Sequence, residues 1–242
     1  MSTSNLPTDY QMTIRDIPVQ VIRKSIKNLH IGVYPPEGRV RVAAPVHLTE
    51  DNIRLAIISR LSWIKKQQAK FAAQPRQSKR EMVSGESHYI FGKPYRLEVI
   101  ERPGRPELKI SNHKTLQLFV NPGTSAQKRA LVLAQWYRQQ LHDIIPQLLN
   151  KWQPIIGKTV SDWGIKKMRT KWGSCNINER RIWLNLELAK TPIECLEYVL
   201  VHELVHLLER HHNDRFKAYM DEYLPQWRQY RELLNQQPLT DN

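Results

Sequence analysis

Cysteine is nearly absent. Cys175 and Cys195 are the only two in 242 residues, too few for a disulfide scaffold and in keeping with a reducing compartment. Long apolar runs are missing too. The richest one, around Leu196–Leu208, is broken by Glu197, His202, Glu203 and His206, and nothing reaches the roughly eighteen apolar residues of a membrane span. Met1 to Gln20 holds no apolar stretch of signal-peptide length, so a cytoplasmic protein with no membrane partner is expected. No zinc-finger spacing, RNP-like run, P-loop or solenoid repeat occurs. Acidic residues are the minority: 23 Asp plus Glu face 37 Lys plus Arg, a formal charge of +14. That excess leaves an anionic substrate or a nucleic acid open as partner. The basic groups are nevertheless spread over the linker, the long helices and the strands, which is the pattern of solvated faces.

What is present has a globular profile, with 40% hydrophobic and 25% charged residues. The length admits one large domain or two small ones. Met12–Ile22 reads as two short strands, and Leu29–Tyr34 with Val40–Val42 as a hairpin around Pro35-Pro36-Glu37-Gly38. Thr49 is a good helix N-cap, followed by Glu50 and Asp51, with Ile53, Ile57, Leu61 and Ile64 at helical spacing. Gln74–Ser84 reads as a basic linker. His88–Val120 reads as a second β segment, and Gln127–Trp152 as a long helix whose Leu131, Gln135, Arg138, Leu141, Ile145 and Leu148 trace neighbouring positions. Short strands are predicted at Ile165–Thr170 and Arg181–Leu188, then a helix from Ile193 to Arg210 with Pro192 near its start, and a further helix from Asn213. The fold class expected is α+β: a β-rich N-terminal part with long helices over 10–160, then a catalytic half over 161–236 with a short hairpin and an active-site helix, the two parts allowing one continuous domain.

The chemistry concentrates in His202-Glu203-Leu204-Val205-His206, an H-E-x-x-H run inside a predicted helix. A rise of about 1.5 Å and a turn of about 100° per residue put both imidazoles on one face, one turn apart. They can bind one tetrahedral metal ion, with Glu203 one step around the helix, free to act on a water there. The flanking Leu196, Val199, Leu200, Val201, Leu204, Val205, Leu207 and Leu208 make the helix apolar nearly all round, hence buried. Buried polar side chains need partners, and a metal supplies one. The third ligand is open from spacing alone. His212 reaches the ion if the helix ends between residues 206 and 212, where no Gly is available and a non-Gly residue must adopt the terminating conformation. His211 and Glu222 are the alternatives.

Lys167–Cys175 (Lys-Met-Arg-Thr-Lys-Trp-Gly-Ser-Cys) and Tyr198–Leu207 resemble the YgjP-like metallopeptidase domain family, with its W-G-S-C segment, hairpin, Y-V-x-x-H-E-L-x-H-L run and later H-x-x-x-F, here His212 and Phe216. Gly85–Val99 is similar to the family's mid-chain segment, and the resemblance spans roughly Val19 to Leu234. It implies a zincin-like catalytic half with one zinc ion on His202, His206 and His212, Glu203 as base, and a peptide or protein substrate. A second electrophile beside the metal is expected from Arg169, Lys171, Tyr198 or Tyr219. Cys175 reads as a structural thiol, Cys195 as buried, Trp172 as core and Gly173 as a backbone bend. The strand before Trp172 offers an edge to an extended peptide. The leading function is a zinc-dependent peptidase. A metal-dependent phosphohydrolase acting on nucleotides or another anion is the first alternative, and a non-catalytic, metal-stabilised interaction protein the second. A purely structural zinc has no use for Glu203.

Overall fold

The computed structural model describes residues 9–34, 37–73 and 80–237. These fall into two compact units divided between Arg76 and Gln77. The turn residues Pro35 and Pro36 and most of the predicted linker lie outside the described residues.

In the first unit, β1 (Asp9–Ile14) and β2 (Ile17–Lys24) form an antiparallel hairpin. Its two turn residues, Arg15 and Asp16, both have positive φ, 43° and 68°, the primed-turn geometry that matches strand twist. β3 (His30–Tyr34) pairs antiparallel with β4 (Arg39–Pro45), and β4 lies parallel to β2, giving the order β1-β2-β4-β3. Alternation buries Val19, Val21, Val40 and Val42 on one face. They share a core with Ile53, Ile57, Leu61 and Ile64. Thr49 caps the helix as expected, its Oγ1 accepting from Asn52 N at 3.3 Å. The single helix expected here is two, α1 (Glu50–Ser59) and α2 (Leu61–Ala73), because the chain tightens at Arg60, whose N–H turns to Ile57 O at 3.0 Å.

The second unit repeats that sheet plan. β5 (Ser87–Ile90) and β6 (Lys93–Glu101) form a hairpin, β6 runs parallel to β8 (Thr115–Val120), and β7 (Glu107–Asn112) is antiparallel to β8, in the order β5-β6-β8-β7. The turn is again two residues of positive φ, Phe91 and Gly92. Pro18 and Pro94 stand two positions after their turns, and each sheet is followed by a helix with a hydroxyl N-cap, Thr49 or Ser125. The shared pattern lies in topology and burial.

α3 (Ala126–Ile156) runs through Pro146 and Pro154 and ends on Gly157 in the left-handed region. Its buried stripe is Leu133, Tyr137, Leu141, Ile145, Leu149, Trp152 and Ile156. The face expected through Leu131 is displaced, and Leu131 is exposed. The large aromatics set the rotation: Tyr137 Oη donates to Tyr89 O at 2.8 Å, and Trp152 Nε1 to Glu197 at 2.7 Å.

A third sheet has the order β10-β11-β9, with β11 (Arg181–Asn185) antiparallel to β10 (Gly173–Asn176) and parallel to β9 (Asp162–Lys166). This corrects the strand expected over 165–170. Residues 167–172 form a loop instead, because the fully buried Asn185 amide gathers it: Nδ2 donates to Met168 O at 2.9 Å and Lys171 O at 2.8 Å. Residues after Asn185 form a 3-10 turn, Leu186–Lys190, rather than more strand. The boundary expected at 160/161 falls inside this unit, where one continuous core takes in Met82, Ile156, Ile165 and Leu234. The α+β class holds.

His88 on β5 is a buried histidine outside any expected site. Its Nε2 lies 3.3 Å from Glu86 Oε2 without hydrogen-bond alignment. Burial first, then the charges of Arg80 and Lys190 against Glu86, lower its pKa to about 4. The unfolded chain therefore takes up this proton near pH 6.5, before the folded one does. Stability from this group is full above pH 6.5 and is lost as pH falls toward 4, about 3 kcal/mol in all. Urea unfolding at pH 7.5 and 4.5 should show His88→Gln losing less stability than the wild type by this order. Equal losses would mean His88 is not the group responsible.

Candidate metal centre

α4 (Ile193–Val205) starts at Pro192 and is buried over most of its length. It ends five residues before the expected Arg210. Leu207 N reaches Leu204 O at 3.0 Å and Leu208 N reaches Val205 O at 2.9 Å, so the last turn tightens to i→i+3 bonds. No residue between 206 and 212 takes a positive φ, and the left-handed termination expected from the missing Gly does not occur. The chain then swings back, and Asn213 caps α5 (Asp214–Tyr223) by accepting from Phe216 N at 3.0 Å.

This bend brings His212 over the H-E-x-x-H face. Ring centroids are 4.9 Å apart for His202 and His206, 4.8 Å for His202 and His212, and 4.7 Å for His206 and His212. One donor atom from each lies within 4.8 Å of the others, and neither His211 nor Glu222 belongs to the cluster. The Nε2 atoms of His202 and His212 are 2.9 Å apart. Phe216 closes one side, with its ring 4.8–4.9 Å from all three imidazoles.

Protonation favours ligation. Burial, followed by the neighbouring His206, His212 and Arg231, lowers His202 to about pKa 3. Burial also lowers His206 and His212. All three rings are neutral at pH 7. His206 Nδ1 lies 3.1 Å from Glu209 O, and a carbonyl only accepts, so the proton sits on Nδ1 and Nε2 keeps its lone pair. Buried His202 Nδ1 has no protein partner. Tetrahedral zinc with imidazole bonds near 2.05 Å has nitrogen–nitrogen edges of about 3.3 Å. Three neutral nitrogens at these separations fit such an ion.

Glu203 lies beside the triad, 5% exposed, and among the described residues its carboxylate takes part in no hydrogen bond or ion pair. Burial raises its pKa to about 8, with Lys171 pulling the other way. A carboxyl group poised near neutrality can accept and return a proton. Gly173 makes this position possible, since a Cβ there would lie 2.5 Å from Glu203 Oε1 and 2.8 Å from its Cγ. Gly173→Ala should therefore displace the carboxylate and lower turnover roughly 100-fold, the usual cost of a misplaced catalytic group, while zinc content stays at wild type. Unchanged turnover would show that Glu203 has room to move.

The centre opens on a cavity of about 510 Å³, lined among others by Lys171, Gly173, Cys175, Tyr198, Arg210 and Arg231. Of the four expected electrophiles, Lys171 and Tyr198 line it, and Arg169 and Tyr219 do not. Tyr219 accepts from Arg215 instead, at 3.2 Å. Tyr198 is buried, packs against Trp227 with ring centroids 6.4 Å apart, and has its phenol raised to about 12 by burial. The Cys175 thiol is pushed up to about 11 by burial and then Glu203, which leaves it un-ionised and inert.

A family model described as YgjP-like, metallopeptidase domain matches residues 27–237. The chain belongs to this family. Membership makes it a hydrolase of the metallopeptidase class. The crystal structure of the metallopeptidase zymogen of Pyrococcus abyssi abylysin is similar to it at 22% identity, over 37% of this chain and 87% of that one, with a TM-score of 0.33. No curated protein matches the chain. Among the described residues, no helix is long and apolar enough to cross a membrane.

Sequence reasoning missed three features of this YgjP-like site. Gly173 makes room for the Glu203 carboxylate, Asn185 shapes the loop that presents Lys171, and Arg231 enters from α6 (Trp227–Gln236). Gly173 stands in the W-G-S-C segment, which marks it for notice. Asn185 and Arg231 have no local signal.

Proposed function

We propose that this chain is a zinc-dependent peptidase in which His202, His206 and His212 hold the metal and Glu203 is the general base. One observation supports this most: three neutral imidazoles converge beside an unpaired buried carboxylate on a single open cavity. Zinc at such a site supplies a Lewis acid that brings the pKa of a bound water to about 7. Glu203 takes up the proton at its carboxylate and delivers it to the departing amine nitrogen. Lys171 and Tyr198 line the same cavity, which supports them as donors to a carbonyl oxygen gaining charge. β10 is an edge strand whose Gly173, Ser174 and Cys175 line the cavity, so an extended peptide can pair with its main chain. This replaces the strand before Trp172, which the sequence pointed to, as the substrate edge.

The two free thiols fit a reducing compartment, and the cytoplasm is the location we propose. The net charge alone does not favour a phosphohydrolase, and a metal held only for stability leaves Glu203 without a role. Purified protein of measured zinc content, incubated in parallel with casein, peptide libraries and nucleoside triphosphates, tests this. Peptide cleavage that disappears in Glu203→Gln is expected. Triphosphate turnover without peptide cleavage would select the phosphohydrolase.

A further inference from the structure

The cavity wall has an unbalanced charge. Its lining contains three permanent cations, Lys171, Arg210 and Arg231, and one carboxylate, Glu203, which already has the proton-transfer role. None of the three cations forms an ion pair among the described residues. Some cations of the same unit do find an acid: Lys151 pairs with Glu197 at 2.7 Å, Lys190 with Glu187 at 2.6 Å and Lys217 with Asp214 at 2.8 Å. The contrast is sharpest on α6. Arg228 pairs with both oxygens of Asp221, and Arg231, one turn later, has no acid among the described residues.

Arg231 is nonetheless held. Its guanidinium carbon stands 4.9 Å from the Trp227 ring centroid, and Trp227 is itself fixed by its Nε1 donating to Asp221 at 2.7 Å. Stacking on an aromatic face positions a guanidinium while leaving its planar fork free for two parallel bonds to an oxyanion. Val199 and Leu234 add apolar surface to the same cavity lining, suited to the methylenes of a short acidic side chain.

We propose that Arg231 and Arg210, with Arg231 foremost, form an anion subsite that selects peptide substrates bearing a carboxylate close to the scissile bond. This rests on the peptidase reading. The carboxylate comes from an Asp or Glu side chain or from the peptide's own C-terminus, and the assay separates the two.

Calorimetric titration of zinc-loaded Glu203→Gln with N-acetylated peptides reads binding without cleavage. One set has Glu at a central position and its partner has Gln, each with a free or an amidated C-terminus. The carboxylate-bearing peptide should bind at least tenfold more tightly than the fully neutral one, with a preference that shrinks as salt rises. Preference that follows the central Glu assigns the side chain, and preference that follows the free terminus assigns the C-terminal carboxylate. Adding Arg231→Gln should bring the ratio toward one at full zinc content, and Arg231→Lys should recover part of it. Equal affinity for all peptides, or equal weakening of all by Arg231→Gln, would overturn the subsite. So would inorganic triphosphate binding more tightly than the best acidic peptide. Wild-type cleavage of peptides without acidic preference would sink the subsite alone. Failure of every peptide both to bind and to be cleaved would sink the peptidase reading with it.

Discussion

His202→Ala and His206→Ala should each reduce bound zinc from close to one equivalent to nearly none after dialysis. Both rings come from one rigid helix turn, so each loss leaves two nitrogens where three converge. Losing only a hydrogen-bond partner of a ligand costs about 10–100-fold in metal affinity. Losing the ligand itself should exceed that. His212→Ala should fall as steeply, because its Nε2 stands 2.9 Å from that of His202. His211→Ala and Glu222→Ala should bind zinc like wild type, since neither belongs to the cluster. Elemental analysis with competitive chelator titration measures all five. Undiminished zinc in both helix variants would remove the site, and a loss confined to Glu222→Ala would transfer the third ligand to α5.

Glu203→Gln should keep the zinc and lose peptide hydrolysis by roughly 10²–10⁴-fold, the range for removing a general base. The substitution is nearly isosteric, and among the described residues the carboxylate it replaces takes part in no ion pair or hydrogen bond, so folding should survive it. The loss should appear in kcat, with KM nearly unchanged, because the group acts on the reacting proton rather than on substrate binding. A variant that turns over a verified peptide at the wild-type rate would show that the base lies elsewhere.

Gly173→Ala and Glu203→Gln approach the same carboxylate from opposite sides, one by moving it and the other by changing its chemistry. Their effects should not add, because a displaced carboxylate and an absent one fail at the same step.

Much of the site was legible in the chain itself. The H-E-x-x-H spacing fixes two imidazoles on one face because helical pitch is a local property, and Asn213 marks the next helix start because capping reaches only three residues. Thr49 was legible for the same reason. The alternation in β1, β2 and β4 and the split of the first β segment into a hairpin follow from side-chain period and turn chemistry.

Other features depended on contacts between residues distant in sequence. Which of His211, His212 and Glu222 joins His202 and His206 depends on how the chain turns after Val205, and there i→i+3 tightening ends the helix where a non-Gly residue in the left-handed conformation was expected. The rotation of α3 was set by Tyr137 and Trp152 finding partners on β5 and α4, so Leu131 faces solvent despite its place in a helical pattern. β10 exists because residues 173–176 pair with β11, while Asn185 holds the preceding loop off the sheet. The shared order of the two four-stranded sheets becomes visible only once strand pairing is known.

Residue order alone sets the chemistry: which donor atoms exist, which of them share a helix turn, and that a carboxylate stands next to them. Packing sets their company, bringing His212 and Phe216 onto the helix face, Gly173 against Glu203 and Arg231 to the cavity wall. The division has a physical cause. Helical spacing and capping are set by bonds spanning three or four residues, whereas burial, charge balance and loop closure are set by partners that only the packed core brings together.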